Sequence, residues 1–238
     1  MNKIFKIIAF FLIALTAKSS ISQTDSSYNP KDDFSLSGFP LVFFLPETGL
    51  AFGGLGLTVF NIGEEKSWRK SQVQLGVAYT LKNQLLIFAP YELYLKQNWK
   101  INGEIGYYRY FYNFYGIGIN SRIEDEEVYE TTFPRARISL LREVFKDFSV
   151  GLGYELDIFS NLRIQEGGVL EASDVNGKRD GTVSNIGIQA FYDTRDNLFF
   201  PTRGFFIQGS YFTSSKILGS SFNYSKFVLD NRFYQKLG

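Results

Sequence analysis

In the stretch KSQVQLGVAYTLK, residues 70–82, Val73, Leu75, Val77, Tyr79 and Leu81 fall on one face of an extended chain, and Gln72, Gln74, Gly76, Ala78, Thr80 and Lys82 on the other. The same two-residue period returns in WKINGEIGYY, where Trp99, Ile101, Ile105 and Tyr107 oppose Lys100, Asn102, Glu104 and Gly106. It returns again in DFSVGLGYELDIF, where Phe148, Val150, Leu152, Tyr154, Leu156 and Ile158 oppose Ser149, Gly151, Gly153, Glu155 and Asp157. Side chains alternate across a strand, so each stretch has one apolar or aromatic face and one face of glycine, amide and charge. Each is about as long as the ~9–11 residues a tilted strand needs to cross a hydrocarbon core, and longer than the usual ~5–6.

The pattern predicts about ten strands, near 36–45, 50–61, 71–82, 85–96, 99–111, 132–143, 147–159, 183–195, 205–214 and 222–235. The first, sixth and tenth alternate less cleanly. An apolar strand face alone would also suit a soluble sandwich. Strand length, aromatic content and a leader-like N-terminus together favour an all-β, antiparallel transmembrane β-barrel. A charge on the lipid side at mid-membrane costs about 2–4 kcal/mol, so Glu104, Glu155 and Asp157 are expected to face the lumen. With the first strand entering from the periplasm, the two longest loops, Tyr115 to Tyr129 and 160–181, fall outside the cell.

The leader is MNKIFKIIAFFLIALTAKSSISQ, with Lys3 and Lys6, an apolar run from Ile7 to Leu15, then small and polar residues. This is the layout of a secretory signal peptide, expected over residues 1–23, and its apolar run is too short for a spanning helix of ~20 residues. Residues 24–35 read as a flexible polar segment and 36–238 as the barrel, in the bacterial outer membrane after leader removal. The chain of 238 residues has a formal net charge of +1, which gives no reason to expect nucleic acid as a partner. It has no His and no Cys, so a Ser-His-Asp triad and a His/Cys zinc site are both excluded, and no cofactor or enzyme activity is expected.

Several motifs invite a chemical reading. SRIEDEEVYE carries Glu124, Asp125, Glu126, Glu127 and Glu130, where a calcium or a lipopolysaccharide-bridging cation could bind, although its spacing lacks EF-hand order and a solvated loop is the preferred reading. FGGLGLTVF and YGIGINS are glycine-rich, but no helical period follows either, so barrel-wall glycines are favoured over a phosphate cradle. YYRYFYNFYG, Tyr107 to Gly116, is read as part of an aromatic girdle rather than a ligand platform.

YDTRDNLFFPTRG differs from these. Pro201 and Gly204 fit a turn, but a turn alone does not explain why Asp193, Arg195, Asp196 and Arg203 crowd one strand end, where opposite charges can pair across a lumen wall. DTRDN followed by FPTRG (Asp193, Thr194, Arg195, Asp196 and Asn197, then Phe200, Pro201, Thr202, Arg203 and Gly204) resembles the surface-antigen domain of the BamA/TamA family of outer-membrane assembly factors. FFLPETGLAFGGLGL and YNFYGIGIN resemble segments of its short members, and the likeness covers roughly residues 36 to 238. The resemblance implies a sixteen-stranded barrel with a weak seam between first and last strands, through which nascent outer-membrane proteins are inserted or polypeptides moved. Outer-membrane lipids and such nascent proteins are the implied partners. The dozen or so residues between leader and first strand leave no room for POTRA domains, and the absent terminal aromatic strand implies about six further strands. The alternative is a passive pore or a structural barrel.

Overall fold

The computed structural model describes residues 34–46, 48–62, 70–119, 121–196 and 201–236. The expected signal peptide and nearly all of the segment after it lie outside the described residues.

Ten strands follow one another: β1 (Phe34–Leu45), β2 (Gly49–Phe60), β3 (Ser71–Thr80), β4 (Leu85–Tyr94), β5 (Trp99–Phe114), β6 (Glu127–Phe145), β7 (Phe148–Arg163), β8 (Gly181–Asp193), β9 (Gly204–Ser214) and β10 (Tyr224–Tyr234). They form one sheet in the order β1 to β10, each strand antiparallel to the next, which is the all-β meander that the sequence pattern predicts. One helical turn, α1 (Val169–Ala172), lies in the β7–β8 loop.

β5, β6 and β7 run several residues past their expected ends, so the β5–β6 connection shortens to 115–126. The added residues on the outward side include Asn113, Val128, Glu130 and Arg163, whose mixed polarity hides the strand period; backbone pairing continues regardless, as in Asn113↔Val128 and Glu130↔Arg163.

The burial pattern is the reverse of a soluble core. Apolar residues of the alternating faces are open, with Leu152 61% and Ile188 60% exposed, while Asp157 is 7% and Asn185 2% exposed on the opposite face. Burying polar groups and exposing Leu, Ile and Phe is unfavourable in water and favourable where the outer solvent is hydrocarbon. This asymmetry separates a membrane barrel wall from a sandwich, which alternation along a single strand does not. On β5 and β6 the apolar band lies between Trp99/Arg142 at one level and Arg109/Thr132 at another, both cross-strand pairs. Ten residue steps cover about 34 Å along a strand and, at a tilt of ~35–45°, about 24–28 Å of membrane normal, close to the ~25 Å band of outer-membrane barrels.

The sheet curls toward its polar face. In a flat sheet β7 and β10 would lie about 14 Å apart. Instead Lys226 Nζ on β10 reaches Glu155 Oε2 on β7 at 2.7 Å, and Lys100 Nζ on β5 sits 5.1 Å from the Phe191 ring centre on β8. Glycines make room on this concave side. The Phe212 ring covers Gly187 and Gly153, where an added Cβ would fall 2.6 and 2.8 Å from ring atoms.

The aromatic run after Tyr107 divides by the same period. Tyr107 points outward as a girdle residue does, but Tyr108 and Tyr112 lie on the concave side, stacked on Phe133 and Tyr129 with ring centres 5.1 and 5.3 Å apart. The girdle reading of the whole stretch is therefore corrected to its outward half.

Candidate functional site

The DTRDN–FPTRG connection joins β8 to β9 at one end of the concave wall. Its ladder continues past the strands through Thr194 N–H to Phe205 O at 2.9 Å and Asp196 N–H to Arg203 O at 3.2 Å. Gly204 has φ 114°, and a Cβ there would lie 2.4 Å from Thr194 O, so only glycine fits the close approach. Pro201 and Thr202 lie beside it; Asn197 and Phe200 fall outside the described residues.

The four charges of the motif take three different roles. Arg195 grips Asp193 with two hydrogen bonds, Nε to Oδ1 and Nη2 to Oδ2, both 2.8 Å, and the side chains are 13% and 15% exposed. This hydrogen bond, ahead of the opposing effect of burial, holds the Arg195 guanidinium above its ordinary value, so it stays charged. Asp196 turns to its own loop: its carboxylate accepts from the Thr202 N–H at 2.9 Å, the Thr202 hydroxyl at 2.5 Å and the Arg203 N–H at 3.2 Å. Arg203 is exposed and makes no ion pair among the described residues.

Arg195 also lies 4.6 Å from the centre of the Phe206 ring on β9, and Arg232 of β10 lies 5.4 Å from the same ring. Asp193, Phe206 and Arg232 are in register across β8, β9 and β10. Two guanidiniums within cation–π range of one ring thus tie the turn to the next strand.

Further along the wall runs a second charged layer. Arg135 Nε donates to Asp157 Oδ1 at 2.7 Å and its Nη1 lies 3.6 Å from Glu104, while Arg137 Nη2 lies 3.5 Å from Asp157 Oδ2. Glu155 accepts from Lys226 at 2.7 Å and from Asn185 Nδ2 at 3.0 Å. Glu92 accepts from Lys100 at 3.3 Å and from the Tyr94 hydroxyl at 2.7 Å. Glu104, Glu155 and Asp157 therefore all stand on the concave face. Their partners Arg135, Arg137 and Lys226 come from β6 and β10, where the hydrophobic period is weaker; the available signal was Phe133, Arg135 and Arg137 alternating with Pro134, Ala136 and Ile138.

These layers line a cleft of about 620 Å³, reached by Gln72, Glu92, Asn102, Arg137, Gln189 and Arg232 among others. Positive and negative groups alternate along it, so the wall is strongly polar but locally compensated. The acidic run singled out in the sequence does not converge: Glu127 caps the N–H groups of Val169 and Leu170, Glu126 accepts from Asn113, and Glu130 pairs with Arg109. No group of three or more acidic residues able to hold a metal occurs among the described residues.

Residues 60–238 match the model of the Omp85 superfamily domain, three-quarters of the chain. The chain belongs to the Omp85 superfamily. Membership agrees with the BamA/TamA-type resemblance carried by the DTRDN–FPTRG pair, and it implies a β-barrel of the bacterial outer membrane in a family of insertion and translocation proteins. Among solved structures, BamA from Haemophilus ducreyi lacking POTRA domains 1–3 is similar over 82% of this chain at 18% identity, with a TM-score of 0.49. The chain spans 36% of that protein's length. No curated protein matches it.

Proposed function

We propose that this Omp85 member acts without bond-making chemistry, by offering a weak seam at β1 to incoming outer-membrane polypeptides. The superfamily membership carries the reading. The first hairpin supports it. Among the described residues β1 pairs only with β2, and in a seam of this kind the strand's second edge is the one an extended segment would match through its N–H and C=O groups.

From Phe39 to Leu45 β1 is also apolar on both faces, and β2 carries a single hydroxyl, Thr58, among apolar residues and glycines. Phe34, Leu36, Val42 and Phe44 are exposed on one side, while Phe39, Leu41 and Phe43 stand on the other beside Leu55, Gly53 and Ala51. A stretch with no polar face does not favour the lumen over lipid, which suits a segment that exchanges partners at a seam and perturbs the bilayer beside it. In this reading residues 1–23 are a signal peptide and 24–35 a flexible N-terminal segment whose last two residues, Phe34 and Ser35, already belong to β1, with the barrel wall running from there to 238. The partners are outer-membrane lipids and nascent outer-membrane proteins, not nucleic acid. The DTRDN–FPTRG residues serve as a structural brace at the lumen end.

The test is reconstitution into phospholipid vesicles with an unfolded eight-stranded client diluted from urea. The proposal expects the client's folded form to appear severalfold faster than in empty vesicles. Steady ionic conductance with no acceleration would overturn it in favour of a passive pore, which the polar cleft could equally line.

A further inference from the structure

Three charged side chains stand together on the convex wall where the apolar band ends: Arg109 on β5, Glu130 on β6 and Arg163 at the end of β7. Arg109 is level with Leu85, the first residue of β4, beside the β3–β4 turn, and Tyr107 is its outward neighbour toward the band. Arg109 Nε donates to Glu130 Oε1 at 2.7 Å, and Arg163 Nη1 lies 3.9 Å from Glu130 Oε2. The acid is tucked in at 14% exposed, whereas the two cations remain open at 46% and 77%. Two guanidiniums share one carboxylate, so the outward surface keeps a positive charge.

We infer that Arg109 and Arg163, held in place by Glu130, bind the phosphate-bearing headgroup of a membrane lipid. Charges on the outer wall are tolerated only near the interface, which places this trio at headgroup depth. A guanidinium fork matches phosphate oxygens in pairs, and Arg109 commits only its Nε to Glu130. The apolar wall beneath, beginning at the 43%-exposed Tyr107, receives the acyl chains. At the other end of the band Arg142 lies over the Trp99 ring at 5.5 Å, so no comparable paired cations stand open there among the described outward residues of β5 and β6. The inference rests on the barrel standing in lipid and not on whether it moves polypeptides.

The experiment titrates phosphatidic acid onto the detergent-solubilised full chain, reading bound lipid by native mass spectrometry, with phosphatidylcholine as reference. Arg109→Gln with Arg163→Gln is expected to weaken phosphatidic acid binding by roughly thirtyfold, as loss of two interfacial cations implies. Lys216→Gln, which removes one positive charge from an exposed loop residue away from the trio, leaves it unchanged. Glu130→Gln frees both arginines and tightens binding severalfold, an effect a purely structural ion pair would not give. If the double variant does not fold, Glu130→Gln alone still decides. Wild-type binding by the double variant, weaker binding by Glu130→Gln, or displacement by millimolar inorganic phosphate, which would mark a free-anion site, overturns the proposal.

Discussion

Asp157→Asn removes the one charge that Arg135 and Arg137 share while keeping the side chain's volume. Asp157 Oδ1 takes the Arg135 Nε at 2.7 Å, Oδ2 lies 3.5 Å from Arg137 Nη2, and Glu104 is left 3.6 Å from Arg135. A hydrogen bond to a charged group contributes about 1.5–3 kcal/mol, and stripping one partner from a fully buried pair costs about 3–5. Arg135 is 22% and Arg137 38% exposed toward the cleft, where water screens the orphaned charge, so about 1–2 kcal/mol is the expected loss. For a domain of this size that lowers the melting temperature by roughly 2–8 °C. Heat-modifiability on SDS gels, scored as the fraction of fast-migrating folded barrel against temperature, reads the shift. In an Arg135→Gln background the same substitution should cost clearly less, because the partner charge is already gone. An unchanged melting curve, or equal losses in both backgrounds, would refute the network as a stabilising element.

Other expectations follow from the same wall. Gly187→Ala sets a Cβ 2.3 Å from Tyr211 O and 2.6 Å from the Phe212 ring, and should cost about 1–3 kcal/mol; Gly209→Ala on the outer face meets nothing within 4 Å and should be neutral, both read by melting. Arg195→Gln breaks the two-bond grip on Asp193 and should lower stability by about 1–2 kcal/mol, whereas Arg203→Gln should change it little; equal effects would contradict the division of roles in the turn. Lys226→Met cuts the reach from β10 to Glu155, and faster hydrogen exchange of backbone amides in Tyr224–Tyr234, with β6 unaffected, is the expected signature.

Strand positions and facing were largely legible in the sequence, because period two is a local signal that survives without knowledge of partners. Gln72, Gln74, Glu104, Glu155 and Asp157 stand on the polar side where alternation places them, and Leu75, Ile105 and Leu152 on the lipid side. What pairs with what was not legible. Lys226 and Glu155 are 71 residues apart, and three strand spacings separate them until the sheet curls. Curvature is a property of the whole sheet, and no short motif encodes it. Within the turn, the sequence brought Asp193, Arg195, Asp196 and Arg203 to one place, but the choice of Asp193 by Arg195 depends on Asp196 being taken by Thr202 and the loop backbone. The glycines of β7 and β8 read as spacers; their use as a floor for Phe212 appears only once β9 is in register with β8.

The central claim is that the apolar face meets lipid and the polar face meets a water-filled interior. The chain has no Cys, so single cysteines can be placed at Gln72, Val73, Gln74 and Leu75 in turn and spin-labelled in lipid vesicles. Collision with membrane-dissolved oxygen should dominate at 73 and 75, and collision with a water-soluble nickel complex at 72 and 74. Accessibility without a two-residue alternation, or with its sense reversed, would contradict the account.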